Sequence, residues 1–181
     1  MKVARLLLRL LVGGLFIGHG TQKLFVWYGG SGLDATAAGF ESMGMRPGRR
    51  HAIAGGVGEA GGGAALALGL ATPLASGVLT AVMLTAIHRV HLKNGPWVTK
   101  GGYEYNAVLI AAVLSLAEAG PGKLSLDAAL GIERSGARWA LAAAALGALG
   151  ALGANLTSAP APEPEPEPEP VAEPEPAAAT A

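Results

Sequence analysis

Residues 3–25 read VARLLLRLLVGGLFIGHGTQKLF, an apolar run broken by Arg5 and Arg9 near its start and by His19 and Lys23 near its end. A helix crosses a bilayer with roughly 17–25 mostly apolar residues, so this run is long enough to span. It opens like a secretory leader, with Met1-Lys2-Val3-Ala4-Arg5 ahead of the apolar stretch. It continues to Phe25, however, and ends in Gln22-Lys23-Leu24-Phe25 rather than in a small-residue cleavage site. It is expected to remain as a first span.

Working outward, further apolar stretches cover 52–70, 74–92, 105–119 and 137–155. In lipid each must satisfy its own backbone, which a helix does. The expected fold is therefore all-α, a polytopic membrane helix bundle. Spans two and three are joined by Ala71-Thr72-Pro73 alone, which makes them antiparallel neighbours, and Pro73 suits a helix end or first turn. In the long first loop, Leu33, Ala37, Phe40 and Met43/Met45 recur at helical spacing, the signature of a short interfacial helix. Trp27, Tyr28, Trp97, Tyr103 and Tyr105 fall on that same side, where amphipathic rings sit well between headgroup and acyl chain. From Pro160 to Pro176 proline alternates with glutamate almost throughout, which forbids helix and extends the chain as a solvated arm. The organisation expected is a four-helix unit over 1–132, an added transmembrane helix over 133–157 and a disordered tail over 158–181.

Composition agrees. The 181 residues are 51% hydrophobic and 14% charged, with a mean hydropathy of +0.41; a soluble domain carries about 25% charged residues. The formal net charge of zero is misleading, because six of the 13 acids lie in the Pro-Glu tail, leaving 13 basic residues against seven acids over residues 1–159. The surplus suits anionic headgroups. With no cysteine, a disulfide, a thiolate metal site and a cysteine nucleophile are excluded. Basic residues are nearly balanced across the two sides; the first-helix tendency places the N-terminus inside and the elaborated loops outside. Richness in Ala, Gly and Arg fits a bacterial source, and the inner (plasma) membrane is the expected location.

Up-and-down threading brings His19, Lys23, Glu59, His88, Arg89, His91 and Glu104 toward one leaflet. An ionisable residue at bilayer depth costs roughly 2.5–3.5 kcal/mol on insertion scales, so such residues mark sites by default. His19, Gln22 and Lys23 share one helix stripe; Gly55, Glu59 and Gly62/Gly63 share another, which would let Glu59 face the bundle through a strip of small residues. His19, Glu59 and His88 are the candidate catalytic centre, rimmed by Lys23, His91, Glu104 and Tyr105, provided that span three lies beside span one. Plainer roles compete: Lys23, Arg89 and His91 can snorkel to water, Glu104 can be a helix-start acid, and His19–Glu59 can be a structural pair. Two histidines can ligate haem axially, and His with Glu can hold a divalent metal, though i, i+3 spacing serves that poorly; no metal site is assigned. A carboxylate beside a histidine near the interface can also exchange protons with a quinone headgroup. Walker A, GxSxG, HExxH and dinucleotide-binding patterns are missing from the sequence, and nothing in it suggests nucleic-acid binding.

The same residues resemble a known family. Gly18-His19-Gly20-Thr21-Gln22-Lys23-Leu24-Phe25, with Gly39-Phe40-Glu41-Ser42-Met43-Gly44-Met45, Gly58-Glu59-Ala60-Gly61-Gly62, Asn94-Gly95 and Gly101-Gly102-Tyr103-Glu104-Tyr105, is similar to the DoxX pattern over about residues 3–127. The resemblance implies a four-helix membrane unit related to the small subunit of a thiosulfate–quinone oxidoreductase or terminal quinol oxidase. It also implies partner subunits, quinone as the cofactor to test and, if there is catalysis, an oxidoreductase subunit. His19, Lys23, Glu59, Gly102, Tyr103 and Glu104 match the pattern. The fifth span and the Pro-Glu arm depart from it. A non-catalytic membrane scaffold or envelope-integrity protein, recruiting partners through loop one and the arm, is the alternative.

Overall fold

A computed structural model of the chain describes residues 2–158; the expected Pro-Glu arm lies outside them. Seven helices occur in order: α1 (Lys2–Leu24), α2 (Gly32–Ser42), α3 (Gly48–Leu68), α4 (Thr72–Ala86), α5 (Glu104–Ala119), α6 (Leu126–Ala129) and α7 (Ala137–Leu156). α4 continues through a π-helical turn, Ile87–His91, into a short 3-10 segment ending at Asn94. The described residues contain no strand. The short helix expected in loop one is α2, and Pro73 lies in the first turn of α4.

Among the described residues, three helical stretches are long and apolar enough to cross a bilayer: Val3–Leu24, Thr72–Asn94 and Ala137–Leu156. Five were expected. The 21-residue α3 has the length, but its glycines and Glu59 dilute its hydropathy; α5, at 16 residues, is short. Both contribute to the buried interior. Val12 and Phe16 of α1, Leu66 of α3, Ala75, Leu79 and Met83 of α4, and Leu109, Val113 and Leu116 of α5 form one apolar core. α7 packs against α4 and α5.

Glycine sets the tightest crossing. A Cβ on Gly13 would lie 2.6 Å from the carbonyl oxygen of Gly63, and one on Gly20 would lie 2.5 Å from that of Gly56. Only a residue without a side chain lets α1 and α3 approach so closely. The α1-facing strip of α3 is thus Gly56, Ala60 and Gly63, one position round the helix from the expected Gly55–Glu59 strip. Gly55 instead faces Phe40 of α2, and Gly62 faces Leu79 of α4.

The end of the bundle holding the α3–α4 turn is tied by buried polar groups. Arg9, 2% exposed, donates to the carbonyls of Ala67, Pro121 and Leu124. Asp127, 1% exposed, accepts from Ala71 N at 2.7 Å, Thr72 N at 3.1 Å and Thr72 Oγ1 at 3.2 Å. These bonds hold Ala71 in the left-handed region at φ 45°, which non-glycine residues seldom occupy. The three-residue connection between α3 and α4 is therefore fixed by a side chain from α6.

Candidate functional site

At the other end of the bundle, α2 folds over α3 and partly covers an open-sided cavity of about 640 Å³ between α2, α3, α4 and α7. Its wall is mostly apolar, from Phe40, Met43 and Met45 on one side and Val78, Val82 and Leu146 on the other. Four titratable residues interrupt it: Lys23, His51, Glu59 and Arg89.

Glu59 occupies the middle of α3, 11 residues after Gly48 or about 16 Å along the axis. It is 3% exposed, and its Oε2 accepts from Lys23 Nζ at 2.5 Å. A carboxylate so buried is costly unless paired, and Lys23 meets that need from the last turn of α1 with its own side chain 28% exposed. The ion pair also ties α1 to α3 across the bundle interior.

His51 was not singled out by sequence, because loop one was expected to run to that residue. α3 in fact begins just after Pro47, so His51, Gly55 and Glu59 stand at i, i+4 and i+8 on one face, and all three line the cavity. A helix start placed by Pro47 is the signal that reveals this stripe. His51 is 7% exposed, and its Nε2 is buried with no protein partner.

The other expected site residues are placed as follows. His19 is exposed and borders a separate polar recess of about 340 Å³ with Gln22, Lys23 and Ser31. His88 is exposed on the π-turn, and neither histidine hydrogen-bonds Glu59 or lines its cavity. The expected His19–Glu59–His88 constellation is thus not assembled. Its premise, span three beside span one, gives way to α1 packed chiefly on α3. Among the rim residues, Lys23 is the partner of Glu59. His91 Nδ1 lies 2.7 Å from the Gly101 carbonyl oxygen, and Glu104 Oε1 accepts from Val98 N at 2.7 Å, so both order the 95–104 loop. Tyr105 is exposed at 44%. Arg89, treated in the sequence as a snorkelling residue, donates from Nε to Asn155 Oδ1 at 2.5 Å and joins α4 to α7.

Chemically, the arrangement offers a hydrocarbon-walled chamber of a size suited to small-molecule ligands, which fill pockets of roughly 300–1,000 Å³. An ammonium–carboxylate pair, a free imidazole nitrogen and a guanidinium supply its polar contacts. Residues 4–92 match the DoxX family model, described simply as DoxX. This segment covers α1 to the π-turn and holds all four titratable wall residues. No curated protein and no solved structure matches the chain.

Proposed function

Starting from a chain that belongs to the DoxX family and is a multi-pass membrane protein, we propose that it serves as a small or accessory subunit of a quinone-linked redox complex in a bacterial inner membrane. Residues 1–132 form its four-helix unit and 133–157 an added helix. The observation that carries this reading is the Lys23–Glu59 pair in the wall of an apolar cavity that the unpartnered His51 Nε2 also lines, two helical turns away. A quinone ring with a prenyl tail needs an apolar body site and hydrogen-bond partners at its oxygens. Lys23 and His51 can donate to those oxygens, and Glu59 can pass a proton by way of Lys23. Electrons must come from a partner subunit, because the chain offers no thiol or redox-cofactor motif.

Chain purified from its own membranes is expected to carry quinone, and Glu59→Gln to lose most of it while staying folded. Quinone-free preparations, or retention indifferent to Glu59→Gln, would count against the reading. An absorption spectrum of the co-purified partners identifies the electron donor.

One observation favours the scaffold alternative. The turn after α1 presents Val26, Trp27 and Tyr28 at 77%, 58% and 76% exposure, and Trp97 lies exposed in the 95–104 loop. Under that reading, Trp27→Ala with Trp97→Ala releases partner subunits while quinone content is unchanged.

A further inference from the structure

Arg89 stands in the π-helical turn that extends α4, and such turns are rare and concentrate at functional sites. Its Nε donates to Asn155 Oδ1 at 2.5 Å, and a terminal nitrogen reaches the Asn155 carbonyl at 3.5 Å. Both acceptors are neutral. The ion pairs among the described residues are Lys23–Glu59 and Arg49–Asp34, so Arg89 has no counter-charge there. Taking Lys23 and Arg89 against Glu59, these residues give the cavity wall two formal cations and one anion, an excess of one positive charge. His51 adds a buried, unpartnered Nε2 to the same wall.

An unpaired cation beside hydrocarbon is expensive. Guanidinium is also the side chain best shaped for oxygen anions, through its planar fork of donors. We infer that the cavity takes a ligand whose head bears an anionic oxygen on an apolar body, that Arg89 recognises that oxygen, and that Asn155 is the residue positioning Arg89. The occupancy of the cavity rests on the functional reading above; the charge of the ligand's head goes beyond it. α7 lies outside the family-matched segment 4–92, so the added helix supplies the clasp that aims a residue of the family-matched segment.

The test uses the full chain in neutral detergent at neutral pH. Three probes are titrated: 2-hydroxy-1,4-naphthoquinone (ionised under these conditions), its neutral parent 1,4-naphthoquinone, and a long-chain fatty carboxylate. The ionised hydroxyquinone should bind about tenfold more tightly than the parent, the margin of a charged over a neutral hydrogen bond. Arg89→Gln should bring that ratio close to one. Asn155→Asp should do the same by supplying the missing counter-charge, while its contact with Arg89 and the melting temperature are kept. A purely structural Asn155 would leave the ratio unchanged in Asn155→Asp, and that result overturns the inference.

Equal binding of ionised and neutral probes to the unmodified chain also overturns the inference, yet leaves the quinone reading standing. Binding of the ionised probe alone sustains the inference and counts against a neutral quinone. Binding of none of the three probes overturns both. Displacement of the hydroxyquinone by the fatty carboxylate points to a lipid acid as the source of the anionic oxygen, and its persistence to a ring-borne one.

Discussion

Removing the cationic half of the Lys23–Glu59 pair leaves a carboxylate that is 3% exposed with its partner gone. Breaking a buried ion pair from one side costs roughly 3–5 kcal/mol, whereas replacing both partners with apolar residues of similar volume is often neutral or stabilising. Lys23 retains access to water, with 28% of its side chain exposed, so Lys23→Met should fall at the lower end, about 3 kcal/mol. Glu59→Met should cost less, about 1–2 kcal/mol, because the stranded ammonium can extend to solvent. The double variant should lie within about 1 kcal/mol of the unmodified chain, giving a coupling of about 3–6 kcal/mol. Unfolding free energies of the four proteins, from denaturant titration in one detergent, close the cycle. Additive single costs would show the opposite, that water rather than Lys23 stabilises the carboxylate.

Three further outcomes follow from the packing. Gly13→Ala should destabilise by about 1–3 kcal/mol through overpacking against α3, while Gly14→Ala, which meets nothing within 4 Å, should be neutral or slightly stabilising; paired thermal melts check the contrast. Asp127→Ala should cost about 2–3 kcal/mol by stranding the Ala71 and Thr72 donors. Ala71→Gly in that background should recover about 1 kcal/mol, because glycine adopts the left-handed turn freely; chemical denaturation of both variants measures it. The chain has no cysteine, so single-cysteine variants report orientation directly: Lys100→Cys should react with an impermeant maleimide on intact cells and Lys123→Cys only after permeabilisation, the reverse pattern placing the N-terminus outside.

The helical class, α2 and the tight α3–α4 connection were legible because each rests on local signals: long apolar runs, helical spacing in loop one, and Pro73. The burial of Glu59 was legible as well, since small residues flank it on α3. Its partner was not. Gly13 opposite Gly63 and Gly20 opposite Gly56 and Ala60 bring Glu59 close to the level of His19, so the estimate of height served well. Height says nothing of which way a side chain turns, and His19 points away while Lys23, one turn further on, reaches back. His51 was missed because a helix boundary was placed four residues late, and α3 begins within what read as loop. The Arg89–Asn155 clasp joins residues 66 positions apart, and no local pattern links them. Arg9 and Asp127 escaped for the same reason: the value of each lies in backbone groups of distant turns.

The proposed function stands or falls with a quinone-like head seated in the cavity beneath α2. Photo-crosslinking of an azido-quinone to the purified full chain, followed by peptide mapping, reports where such a head sits. Label should concentrate on Met43, Met45 and the Val78–Val82 stretch, be displaced by unlabelled quinone and diminish in Glu59→Gln. Label spread over the exposed leucines of α1 and α7, unaffected by competitor, would contradict it.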